Sequence, residues 1–182
     1  AVARAQQASL IVVGPWPTRS ERARALALVE LASREGFDVL SVGTHFSPGL
    51  AREGRVAVLV PLETATHAEL TAAVRALPGV RHVTALVPDA DVEALERLEP
   101  ALRALLPSLE VELIAVQSSF GSVTGQLETE TRLRRVEVLI VASSQVSLAR
   151  QLATGLVAAH TLEESEVPLL LLHRVEGATF PD

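Results

Sequence analysis

The sequence predicts an α/β domain built on an open, doubly wound parallel sheet, preceded by one further βαβ unit. Three observations predict it. Seven short apolar runs recur along the 182 residues. These runs are near-continuous Val, Leu and Ile, as strands buried on both faces require. Between most of them lie stretches with apolar residues at helical spacing, and such alternation gives parallel strands joined by right-handed crossovers.

The first run, 9–14, ends in Gly14 and leads into Pro15. A helical pattern over 19–35 puts Ala25, Leu28, Val29 and Ala32 on one face, and Gly36 supplies a stop. The second run is 38–43. The link 44–55 holds Pro48, Gly49 and Gly54 and no helical pattern. Residues 1–54 therefore read as an appended βαβ unit, and 55–182 as the main domain. Leu10 to Pro15 and Val58 to Pro61 both pass from an apolar strand into a Pro-containing turn, the mark of a degenerate half-repeat. The sequence leaves open whether the first unit extends the same sheet.

In the main domain, 56–62 is a strand. Thr66 with Glu69 forms a capping box, opening a helix with Leu70, Ala73, Val74 and Leu77 on one stripe that stops at Pro78-Gly79. After the strand 82–87, residues 91–106 carry Leu95, Leu98, Leu102 and Leu105. Pro100 lies inside that helix, where it removes a backbone hydrogen bond, so a kink or break is expected. The strand 111–116 precedes a weakly patterned helix over 121–134, with only Val123 and Leu127 well placed. The strand 136–142, a helix over 145–160 with Ala149, Leu152, Ala153 and Leu156 on one side, and the strand 168–173 complete the domain.

Composition excludes several chemistries. The chain has no Cys, Lys, Met, Asn or Tyr, and all 16 basic residues are Arg. Disulfides, thiolate catalysis, a P-loop lysine and a Schiff base are thereby removed. The missing Met leaves two readings: a removed initiator, or a piece of a longer protein. A net charge of −6 with dispersed Arg, and only five aromatic residues, argue against a nucleic-acid partner. No run of about 18 apolar residues occurs, so no membrane span is expected. The start of the chain lacks a signal-peptide layout. The expected location is the cytoplasm, which suits a chain without Cys.

In an open parallel sheet, ligands bind beyond the carboxyl ends of the strands, where the strand order reverses. The positions to inspect are therefore Pro15 to Thr18, Thr44 and His45, Glu63 and Thr64, Asp89, Gln117 to Ser119, and Ser143 to Gln145. Ser143, Ser144 and Ser147 open a helix, where backbone N–H groups attract an anion, although N-capping alone also explains them. Ser118, Ser119, Ser122 and Thr124 form a second hydroxyl cluster beside Gly121. Glu63 follows a strand and could accept hydrogen bonds from a ribose or amino group; as a plain helix-terminal carboxylate it would also be favoured by the dipole. His160 with Glu163 or Glu164 has the spacing of a metal pair but lacks a third ligand, so no metal is expected. No G-x-S-x-G, G-x-G-x-x-G or H-E-x-x-H occurs, and no catalytic residue is assigned.

Two segments carry a family likeness. One is Val-Glu-Val-Leu-Ile-Val-Ala-Ser-Ser-Gln at 136–145 with Glu-Val-Pro-Leu-Leu-Leu-Leu-His-Arg at 166–174. The other is Val-Leu-Val-Pro-Leu-Glu-Thr at 58–64 with His-Ala-Glu-Leu at 67–70. Together they make Arg55 to Arg174 resemble a universal stress protein, a family of HUP/Rossmann type. In its ATP-binding members G-x2-G-x9-G, followed by Ser or Thr, comes after the fourth strand. On this chain the glycine positions fall on Ala142, Gln145 and Gly155, with Leu156 after them. The family's nucleotide-contacting acidic residue falls on Glu63. The resemblance implies a ligand site around Glu63, Thr64, Ala142, Ser143, Ser144, Gln145 and Gly155, with its ATP motif eroded. No cofactor is expected, ATP or AMP being the alternative. The resemblance further implies a homodimer through the last strand, Pro168 to His173, unless the first unit covers that edge instead. Degenerate domains of this kind are similar to the cytoplasmic tails of bacterial cation antiporters and of amino-acid and cation–chloride transporters, which makes a covalently attached transporter domain a further implied partner.

Three functions compete. The first is a non-catalytic regulatory or assembly module. The second is a nucleotide-binding stress-response protein. The third is a small hydrolase or transferase using Ser143, Ser144 or His45.

Overall fold

Apolar runs form strands here because a parallel sheet covered on both faces has no solvent side. The computed structural model describes residues 10–14, 28, 31–32, 35–42, 53–60, 67–117, 123–142 and 167–172. All seven sequence-derived runs are strands: β1 Leu10–Val13, β2 Asp38–Ser41, β3 Arg55–Leu59, β4 His82–Pro88, β5 Glu110–Val116, β6 Val138–Ala142 and β7 Leu169–Leu172. Helices α1 His67–Ala76, α2 Val92–Leu105 and α3 Val123–Leu133 follow β3, β4 and β5, and residues 28, 31 and 32 between β1 and β2 are also helical.

One sheet holds all seven strands, in the order β1-β2-β7-β6-β3-β4-β5. Every neighbouring pair is parallel except β2 and β7. From β3 the chain steps outward through β4 to β5, then returns to the other side of β3 through β6 to β7. Counted within residues 55–182 this is the order 3-2-1-4-5, which dinucleotide-binding sheets use up to their fifth strand. The question left open by the sequence is answered: the first unit extends the same sheet. Leu40 of β2 lies opposite Leu170 of β7. The outer edge of β7 is thereby filled from within the chain. This is the cover by the first unit that the sequence offered as the alternative to a homodimer along Pro168 to His173.

The sheet carries a core on each face. One cluster joins Val56, Val58, Val83, Ala85, Ile140 and Leu170 to Leu70 and Val74 of α1 and Leu98 and Leu102 of α2. The other joins Ala57, Leu59, Leu86, Val116 and Val141 to Leu127 of α3. Alternate residues of each strand enter opposite clusters, as period two dictates. A third, smaller cluster of Ala32, Phe37 and Val39 belongs to the first unit.

The stop at Gly36 works as expected. Its φ is +85°, and the Phe37 N–H donates to the Ala32 carbonyl at 3.0 Å, while the two side chains share a cluster. This is the Schellman arrangement with its apolar contact. Leu28 corrects the expected helix face. It is helical but more than half exposed, as is Leu31, whereas Ala32 is buried. The small cluster under Ala32 does not reach one turn further back. Ala25 and Val29 lie outside the described residues.

Of the kink or break expected at Pro100, the break does not occur, since α2 runs unbroken through it. The proline is exposed, so the Glu96 carbonyl deprived of its partner lies on the solvent side, where water satisfies it. Asp91 caps the helix by accepting from the Ala94 N–H at 2.7 Å. The proposed cap Thr66 and the helix over 145–160 lie outside the described residues.

Candidate functional site

The strand order reverses between β3 and β6, so the carboxyl ends of these two strands bound the crevice in which this class of sheet takes ligands. β3 ends at Leu59, level with Val141 of β6. The next residue, Val60, is fully buried and its N–H donates to the Leu86 carbonyl at 2.9 Å. Ala142 closes β6 and pairs with Leu172 of β7. Of the residues that the family resemblance assigns to a ligand site, it is the one within the described residues. Glu63, Thr64, Ser143, Ser144, Gln145 and Gly155 lie outside them, as do His45 and the Ser118–Ser119 pair.

The described rim is held by backbone capping rather than by exposed chemistry. After β4, Asp89 adopts a left-handed φ of 51°, which its short polar side chain tolerates, and its N–H donates to the Val116 carbonyl at 2.8 Å. Gln117, just past β5, fastens two elements. Its N–H donates to Oε1 of Gln126 on α3 at 2.9 Å, and its Nε2 donates to the Ala90 carbonyl at 3.1 Å. Gln117 was among the positions marked by strand order; Gln126 was not. The signal for Gln126 is its place beside Leu127, on the inward side of α3.

His67 is a second residue that the sequence did not single out. It opens α1, the helix that follows β3, and is 4% exposed. Its carbonyl accepts from the Thr71 hydroxyl at 2.9 Å. The signal was legible: His67, Leu70, Thr71 and Val74 stand at i, i+3, i+4 and i+7, and all four are buried.

At the amino ends of the strands arginines and carboxylates stand together, Glu53, Glu110 and Glu137 among them. Arg55 opens β3, Arg81 immediately precedes β4, and Arg134 and Arg135 shortly precede β6, all at amino ends. Asp89 and Asp91 stand at the carboxyl end. Among the described residues, then, the arginines adjoining the strands lie on the side away from the crevice. No group of three or more metal-ligating side chains occurs among the described residues, and no helix among them is long and apolar enough to cross a membrane.

The fold defines a class: a mixed α/β protein on a seven-stranded, mostly parallel sheet with a single reversal of strand order. Compared with models of known protein families and with curated proteins, the sequence finds no match.

Proposed function

We propose that this chain is a non-catalytic regulatory or assembly module of universal-stress-protein type, in which nucleotide binding is weak or lost. The observation that carries this reading is the place of Ala142. It ends β6, next to β3, at the point where a phosphate-binding loop would leave the sheet. Such a loop needs glycine so that its N–H groups can approach phosphate oxygens closely. In sequence, alanine takes the first glycine position of the motif at 142 and glutamine takes the next at 145. In the setting proposed here, the module is the cytoplasmic portion of a membrane transporter.

Isothermal calorimetry with ATP, ADP, AMP and cyclic dinucleotides tests it. No saturable binding tighter than about 1 mM is expected. Tight binding abolished by Glu63→Ala or Gly155→Val would instead make the chain a nucleotide-binding stress-response protein. The double variant Ala142→Gly with Gln145→Gly is expected to gain affinity for ATP.

A further inference from the structure

We infer that the outer edge of β5, together with the groove beside it, takes up an extended peptide segment in which basic and apolar residues alternate. β5 ends the strand order, and no described strand lies beyond it. The Glu110 N–H donates inward to the Arg81 carbonyl at 2.9 Å, and the Val116 carbonyl accepts from the Asp89 N–H at 2.8 Å. Period two therefore turns the main chain of 110, 112, 114 and 116 toward β4. It turns the N–H and C=O groups of Val111, Leu113 and Ala115 outward.

Two of these, Val111 and Leu113, line a groove of about 340 Å3 between β5 and α2. Val92, Leu95, Val111 and Leu113 line it with apolar surface, and Glu96 and Glu99 stand on the helix above. Val92 is 72% exposed, an apolar group without cover. An open strand edge beside an apolar groove is the geometry by which a sheet accepts an added strand, the main chain giving affinity and the groove specificity.

Charge selects the occupant. Glu96, Glu99, Glu110 and Glu112 surround the edge. Arg103 offsets Glu99 at 2.7 Å, Arg134 offsets Glu112 at 3.0 Å, and Nδ1 of His82 lies 2.8 Å from Glu110. Glu96 has no cationic partner among the described residues. A second copy pairing along β5 brings no cation to these glutamates, because residues 110–116 contain no Arg or Lys. A segment carrying Arg or Lys meets complementary charge instead.

The full chain is titrated with a fluorescein-labelled peptide of about eight alternating Arg and Val residues, long enough to span the strand. Anisotropy reports affinity, and amide chemical shifts report the site. Saturable binding is expected, with shifts confined to β5 and α2. Val92→Arg, at an exposed position that leaves the core intact, should weaken it about tenfold. A peptide of equal charge, N-methylated at alternate residues, should lose about as much, because it cannot donate to the edge. Equal binding by the methylated peptide, or shifts spread elsewhere, overturns the proposal. So does sedimentation showing that Val92→Arg abolishes self-association of the chain, which would assign the groove to a second copy.

Discussion

Leu40 of β2 lies directly opposite Leu170 of β7 across the antiparallel seam of the sheet, and both are buried. They join the large core cluster that α1 and α2 cover. A terminal strand of four leucines with an open edge is a template for pairing with another chain; β2 occupies that edge. Removing residues 1–54 uncovers it. The remaining chain is expected to self-associate far more strongly than the full one, as read by size exclusion with light scattering. In the full chain Leu40→Ala should cost about 2–5 kcal/mol in urea denaturation. A shortened chain that stays monomeric at high concentration would show that the seam does not guard β7.

The attachment of α3 gives a second prediction. Leu127 is 1% exposed and is the α3 residue within the second core cluster, whereas Leu133 on the same helix is 69% exposed. Leu127→Ala should therefore cost about 2–5 kcal/mol. Leu133→Ala should stay within about 0.5 kcal/mol. Urea melts of the two variants side by side check this; similar losses would contradict the packing described.

Gly54 and Gly125 should respond oppositely to alanine. Gly54 holds φ at +71°, and its carbonyl accepts from the N–H groups of both Arg81 and His82, at 2.8 and 2.9 Å. A β-carbon there would meet the Gly79 carbonyl oxygen and, at 2.9 Å, the Arg81 nitrogen. Gly54→Ala should cost about 1–3 kcal/mol in strain alone. Gly125 is exposed within α3, where alanine is the better helix former. Gly125→Ala should gain up to about 1 kcal/mol. Thermal unfolding separates the two by sign.

Strands were legible in the sequence because burial on both faces leaves unbroken apolar runs, as in Val-Ala-Val-Leu of β3 or Val-Leu-Ile-Val of β6. Helices were legible where a full stripe is buried, as with Leu98 and Leu102. Leu28 misled, since identical spacing can face either a core or solvent, and only the width of the platform beneath decides. Pro100 misled because its cost depends on whether the deprived carbonyl meets water. The pairing of β2 with β7 had no local signal at all; it joins residues about 130 positions apart, and no turn chemistry links them. For a site, the sequence marked only the residues that follow each strand; the reversal between β3 and β6 had no local signal, because alternation of elements predicts parallel strands but not their order. The burial of His67 was legible from its spacing with Leu70 and Val74, but that spacing assigns the histidine no role.

Arg135 terminates α3 without the residue best suited to the task. The Val136 N–H donates to the Thr131 carbonyl at 2.8 Å and the Arg135 N–H to the Arg132 carbonyl at 3.1 Å, the paired bonds of a Schellman motif. Arg135 occupies the left-handed position, with φ at 51°. A β-carbon there is unfavourable by about 1 kcal/mol, and glycine removes it. Against this stands the loss of an ion pair with Glu53. That pair is 3.8 Å long and Arg135 is 79% exposed, so its contribution is small. Arg135→Gly is therefore expected to raise the melting temperature by about 2–4 °C for a chain of this size. Arg135→Ala keeps the β-carbon and loses the charge, and should give no such gain. If both variants melt lower than the parent, the side chain of Arg135 holds the amino ends of β3 and β6 more firmly than its geometry implies.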